Sequence, residues 1–282
     1  MPVDKMTLYH YGSFVYYAYE MYAESIKTNP PNLTPPLPPD FPSDQYKLLA
    51  YLVADDEFYP PSDTQFYGFY AYSIKDPNEL IIAIRGTQSA AEWIDDAFIV
   101  PTDFTEVAGG GKVCSGFHNI FKTFDLRLPA NAEIKNITSP KELLLDRAAA
   151  GLKPVMTGHS LGSALANLFS LDIVANASSD INLTVYPLAS PKTGDKQFQA
   201  KYNSTIKTCT RVTNKPDIVP LLPLDVPEFG WYYYPVGDNF EINSNQSLNV
   251  KRGLECWHSI LTYLYMLNPT NPFGLLPMCR NI

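Results

Sequence analysis

The sequence predicts an α/β fold: a mainly parallel central sheet with helices on both faces. Three observations lead there. Strand-like and helix-like segments alternate from residue 66 to residue 214, the order that builds parallel sheets. The stretch 155-VMTGHSLGSALAN-167 carries a buried strand directly into a helix past Gly158 and Gly162. A chain of 282 residues with 45% apolar composition is also long enough to bury a substantial core.

The elements follow in order. The first 60 residues hold an N-terminal helix and then 30-PPNLTPPLPPDFP-42, a proline-rich run that favours extended polyproline backbone and reads as a stiff surface strap. It lies too near one end to separate two domains, and no internal repeat appears, so one domain over 1–282 is expected. Next, 66-FYGFYAYSI-74 and 80-LIIAIR-85 flank the turn 76-DPN-78 and form a hairpin. In 139-SPKE-142, Ser139, Pro140 and Glu142 make a capping box that opens a helix to about Ala150, where Gly151 stops it. A short strand over 153–158 leads into a helix over 161–177, whose apolar residues recur at helical spacing. The strand 183–189, a helix near 195–202 and the strand 206–214 complete the alternation, and an apolar helix-like segment covers 255–267.

Composition narrows the function. The net charge is −8 with no block of Lys or Arg, which argues against nucleic acid and against docking to anionic lipid. No apolar run approaches 18 residues, so no transmembrane segment is expected. The opening residues lack the pattern of a signal peptide. Asn32, Asn136, Asn176, Asn182, Asn203 and Asn245 nevertheless sit in N-x-[ST] sequons, where roughly two or three would arise by chance, which favours a secreted glycoprotein. Cys114, Cys209, Cys256 and Cys279 include no C-x-x-C pair, so zinc is not expected and two disulfides are possible. Nothing calls for a cofactor or a metal ion, and a monomer is expected.

The chemistry centres on Ser160, in G-x-S-x-G. That pattern alone arises by chance on the order of one time in ten in a chain of this length. Its placement between strand and helix is what gives it weight. The glycines permit a sharp turn that thrusts the serine out at the carboxyl end of the sheet. A serine needs an adjacent base, itself oriented by a carboxylate. In this architecture the chain order is serine, acid, histidine. His10 and His118 precede the serine and His159 adjoins it, which leaves His258 as the base. Asp217 follows the strand 206–214 closely, on a loop stiffened by Pro216 and Pro220, and is the acid expected from that position. For an oxyanion, Leu161 N–H follows the nucleophile, and Thr87, in 84-IRGTQS-89, follows the earlier strand.

These residues lie in a set of spaced motifs: RGT (85–87), EW and IDD (92–96), GF (116–117), TGHSLGSALA (157–166), LASPKTGDKQF (188–198), RVTNKPDIVPLLP (211–223) and WHSILTYL (257–264). Together they resemble the lipase class 3 family, the fungal-lipase-like α/β-hydrolases. The resemblance covers about 66–267 and implies the α/β-hydrolase fold, with Ser160 as nucleophile, Asp217 as acid, His258 as base, and Thr87 and Leu161 as oxyanion donors. Two positions depart from the family pattern, Ser163 where glycine is usual and Cys114 where histidine is common. The segment 88–100 is similar to the family's lid. Ser89 and Glu92 form a capping box, and Trp93, Ile94 and Phe98 belong to an apolar stripe. A fixed surface helix is the alternative there.

The expected activity is hydrolysis of carboxylic esters through an acyl-enzyme, foremost of acylglycerols at a lipid–water interface. A phospholipase or a feruloyl-type esterase would share the same parts. Acyltransferases and thioesterases share the fold, and a catalytically silent binding or receptor protein is the reading of another class.

Overall fold

The computed structural model describes residues 3–55, 64–87, 99–132, 134 and 136–281. The apolar run 80–84 explains why the sheet has two covered faces. Leu80, Ile82 and Ile84 join one core and Ile81 and Ala83 another, and all five are fully buried. Period-two alternation sends neighbouring side chains to opposite faces, and a strand apolar at every position can only lie between two layers.

The strands are β1 (Tyr46–Asp55), β2 (Thr64–Ser73), β3 (Glu79–Ile84), β4 (Pro101–Asp103), β5 (Lys112–Cys114), β6 (Asp125–Arg127), β7 (Lys153–His159), β8 (Thr184–Leu188), β9 (Thr208–Asn214) and β10 (Asp238–Ile242). Eight form the central sheet in the order β10-β9-β8-β7-β3-β2-β1-β6, and β4 pairs with β5 separately. From β3 to β10 each pairing is parallel, while β3, β2, β1 and β6 pair antiparallel. The expected hairpin is β2–β3.

The helices are α1 (Lys5–Ser25), α2 (Ser115–Lys122), α3 (Pro140–Ala149), α4 (Leu161–Asn176), α5 (Lys196–Thr205), α6 (Leu254–His258) and α7 (Ile260–Leu267). Phe117, Leu143, Leu165 and Phe198 bring α2, α3, α4 and α5 onto the face of Ile82. Leu8 and Val15 of α1 pack with Leu264 of α7 on the opposite face, and Phe14 of α1 packs against Ile81 and Ala83. Burying each such side chain contributes roughly 1.5–3 kcal/mol.

Several expectations are corrected. The strand β1 was not anticipated, because Tyr46–Asp55 is apolar without clean alternation and its ladder slips between Leu48 and Ala50 and between Leu52 and Val53. The segment 255–267 is two helices, since Ser259 is extended (φ −58°, ψ 132°) and breaks it just after His258. In the cap of α3, Ser139 Oγ accepts from Glu142 N–H as expected, but the Glu142 carboxylate accepts from Thr138 N–H. Of the two possible disulfides one is present, Cys256–Cys279. Cys114 and Cys209 are buried unbridged thiols, and burial pushes each up to about 12. The candidate lid residues Trp93, Ile94 and Phe98 lie outside the described residues.

Candidate active site

Ser160 sits between β7 and α4 with φ 56° and ψ −127°, a strained backbone for a residue with a side chain. The surrounding glycines make it possible. A Cβ on Gly158 would lie 2.4 Å from the Gly162 carbonyl oxygen, and one on Gly162 would lie 2.3 Å from the Ile84 carbonyl oxygen. Both distances are below any real contact, so helix and strand approach this closely only without those side chains. Ser163, where the family usually has glycine, is fully buried, and its hydroxyl donates to the Leu188 carbonyl at 2.7 Å. The departure is accommodated by a hydrogen bond.

The elbow brings together the three side chains that chain order singled out. Ser160 Oγ is 2.8 Å from His258 Nε2, and His258 Nδ1 is 2.8 Å from Asp217 Oδ2. All three residues are buried. A carboxylate only accepts, so it holds the proton on Nδ1 and leaves the Nε2 lone pair facing the hydroxyl. In that arrangement Nε2 can take the hydroxyl proton as the oxygen attacks.

Each partner is itself held. Asp217 follows β9, and its backbone N–H donates to the Asn214 carbonyl at 2.8 Å. Its Oδ2 accepts from the Tyr263 hydroxyl at 2.7 Å and its Oδ1 from Val219 N–H at 3.0 Å. His258 ends α6, where Asn214 Nδ2 donates to the preceding carbonyl, that of Trp257, at 2.8 Å. The acidic residue inside α4, Asp172, is not part of this site and pairs with Lys141 at 2.7 Å.

The two expected oxyanion donors lie on segments that meet at the elbow. Leu161 is the first residue of α4, so its N–H has no acceptor within the helix. Thr87 is partly buried on the loop after β3. That loop touches the elbow, since a Cβ on Gly86 would come within 2.9 Å of Ser160 Cβ. The guanidinium of Arg85 is fully buried beneath it. It donates to the Phe66 and Gly86 carbonyls and lies 3.5 Å over the Tyr22 ring and 4.5 Å over the Tyr67 ring. No carboxylate among the described residues pairs with it, and the two rings take that place.

A cleft of ≈ 530 Å³ opens over His258 and Thr87. Leu254, Ile260, Leu261, Leu276 and Met278 make its walls apolar, with Glu20 and Glu255 among its charged groups. No Lys or Arg of the described residues lines it. Among the described residues no cluster of ligating side chains could hold a metal ion.

Sequence reasoning missed three side chains around this centre. Tyr263, which donates to Asp217, stands five residues after His258 and beyond the break at Ser259, so no helical spacing marks it. Tyr19 on α1 and His159 beside the nucleophile hydrogen-bond to each other at 2.9 Å. His159 bonds on its other nitrogen to the backbone of the base, its Nε2 lying 2.8 Å from the His258 carbonyl oxygen. Nothing local in the sequence marks Tyr19.

Comparison with known proteins gives the same frame. The model of the family "Lipase (class 3)" matches residues 81–226, just over half of the chain. The chain is 32% identical over 216 residues to phospholipase A1-II 3 of Oryza sativa subsp. japonica, covering 70% of this chain and 50% of the relative. It is 30% identical over 204 residues to a lipase of Rhizomucor miehei, covering 70% and 52%. It thus spans about half the length of the curated relatives it matches. Among solved structures, the native Rhizomucor miehei lipase propeptide complex superposes with a TM-score of 0.60 at 24% identity, covering 93% of this chain and 80% of that one. A triacylglycerol lipase whose catalytic centre is described as a serine protease triad superposes with a TM-score of 0.61 at 23% identity, covering 84% and 79%. These likenesses establish the α/β-hydrolase fold.

Proposed function

The chain belongs to the class 3 lipase family, and from that premise we propose that it is a serine carboxylic-ester hydrolase acting on acylglycerols. The observation that carries the reading is the unbroken chain Asp217–His258–Ser160, with both links at 2.8 Å. Ser160 Oγ attacks the ester carbonyl while His258 Nε2 takes its proton, and the charge on the carbonyl oxygen meets Leu161 N–H and Thr87. Collapse of the tetrahedral intermediate expels the alcohol, which leaves with the proton from Nε2. Water then repeats the sequence on the acyl-enzyme, returning the serine hydroxyl and releasing the carboxylic acid.

The cleft bears on the substrate. Its aliphatic walls suit an acyl chain, and its charged lining of Glu20 and Glu255, without a basic residue among the described residues, disfavours a phosphate. Neutral acylglycerols are therefore preferred to phospholipids. The phospholipase A1 relatives favour the second reading, hydrolysis of phospholipid acyl esters. The test measures acid release from emulsified triacylglycerol and from phosphatidylcholine vesicles, with Ser160→Ala as control. Ser160-dependent release from the first and little from the second is expected. The reverse would replace the acylglycerol reading with the phospholipid one, and equal rates for wild type and Ser160→Ala would remove the hydrolase reading.

We also infer one folding domain and an oxidising, extracellular compartment. The continuous sheet supports the first and the Cys256–Cys279 disulfide the second. No helix among the described residues is long and apolar enough to cross a membrane.

A further inference from the structure

Three groups outside the Ser160–His258–Asp217 chain are joined to one another and to the backbone of its base. Gly86 N–H lies 3.0 Å from the Tyr19 hydroxyl oxygen. The same hydroxyl lies 2.9 Å from His159 Nδ1, and His159 Nε2 lies 2.8 Å from the backbone oxygen of His258. Chemistry fixes every proton. A carbonyl oxygen only accepts, so Nε2 of His159 carries a hydrogen. Burial, reinforced by the neighbouring His258, pulls His159 well below its ordinary value, so the ring is neutral and Nδ1 is an acceptor. Burial also holds the Tyr19 phenol above its ordinary value, so it keeps the proton it donates. The order is therefore Gly86 N–H to Tyr19 oxygen, Tyr19 O–H to His159 Nδ1, and His159 Nε2–H to the His258 carbonyl. No group in it is left without a partner.

We propose that Tyr19 is a positioning residue of the catalytic centre, whose hydroxyl ties the oxyanion loop, the residue before the nucleophile and the backbone of the base into one directional chain. The inference rests on the hydrolase reading of Ser160. Gly86 directly precedes Thr87, and its carbonyl accepts from Arg85 Nη1 at 2.8 Å. With the Tyr19 hydroxyl on its N–H, the residue is held at both ends. Oxyanion donors act over about 2.7–3.1 Å, so a loop freed at one end loses aim before it loses its place. His159 acts at the other side, since its bond holds the backbone that carries the His258 ring. The Tyr19 ring also lines the cleft, so a mere wall residue is the rival explanation, and it would act on substrate binding alone.

Tyr19→Phe removes only the oxygen. Turnover of a soluble short-chain p-nitrophenyl ester is measured per active site titrated with an organophosphonate, so that any unfolded fraction drops out. A fall in kcat of about ten- to a hundredfold is expected, less than the full loss of one oxyanion donor, with KM within about twofold. His159→Gln is made alone and together with Tyr19→Phe. If the chain acts as a unit, Tyr19→Phe costs far less in the His159→Gln background than in the wild type. An unchanged kcat, an effect on KM alone, or two losses that simply multiply would each overturn the proposal. Wild-type turnover that survives Ser160→Ala would instead defeat the hydrolase reading itself.

Discussion

The site is built from two sides, and they differ in how far their parts are spread along the chain. On the α4 side, Gly158, Ser160, Leu161 and Gly162 stand within five residues, and the constraint they answer is local: a strand must turn into a helix so close to another strand that a Cβ on Gly162 would lie 2.3 Å from the Ile84 carbonyl oxygen. On the α1 side, Tyr19 reaches Gly86 and His159 across 67 and 140 residues. Local backbone demands leave a mark in spacing, because only glycine satisfies them. Long-range support leaves none, because any segment folded into the right place can provide the hydroxyl.

The sharpest way to break this comparison is at the elbow itself. Ser160→Ala and His258→Ala should each lower kcat by about 10⁴–10⁶-fold and by similar amounts, since members of such a chain act as a unit. Turnover of a p-nitrophenyl ester with a parallel melting curve checks this. His258→Ala activity within tenfold of wild type would mean that another group serves as base.

The next effects belong to remote support. The Cys256–Cys279 disulfide, with a separation of 23 residues, ties α6 to the segment whose Leu276 and Met278 wall the cleft beside His258. Replacing both cysteines by serine should cost about 3 kcal/mol of stability, read by urea titration. A loss below about 1 kcal/mol would mean that packing alone holds this end of the chain. Tyr263→Phe comes after it. Asp217 would lose its phenolic donor, and a hydrogen bond to a charged group is worth about 1.5–3 kcal/mol. Expressed in the transition state, that is about ten- to a hundredfold in kcat with KM held. An unchanged kcat would show that Val219 N–H and His258 suffice to orient the carboxylate.

The same division explains what was legible in the sequence. The alternation from 66 to 214 and the order of Ser160, Asp217 and His258 could be read because each follows from a rule about the backbone or about chain order. The strand β1 escaped because its burial is nearly continuous and bulged, so neither periodicity stands out. The break at Ser259 escaped because the apolar pattern of 255–267 continues smoothly through it, whereas His258 has to reach both Asp217 and Ser160. Nothing distinguished Cys256 and Cys279 from Cys114 and Cys209, because pairing depends on which segments meet. Tyr19 stood among 19 tyrosines with no local feature of its own.

The smallest expected effect falls where the two sides meet, at His159. Its ring lies against Tyr19, His258 and Tyr263. Burial lowers the folded-state value of His159, and likewise that of His10, which faces Tyr46 and is acted on by Glu79. Above about pH 6.5 both are neutral, folded or unfolded, and their contribution to stability is complete. Below it the unfolded chain takes up protons that the folded chain refuses, so stability falls as pH falls, by up to about 1.4 kcal/mol per pH unit for each group. Denaturant titrations between pH 7 and pH 5 should therefore show a shallower decline for His159→Gln than for the wild type. An unchanged slope would mean that His159 accepts a proton without breaking its bonds to Tyr19 and to the His258 carbonyl. The join between the two sides would then tolerate a charge that the neutral ring's bond order excludes.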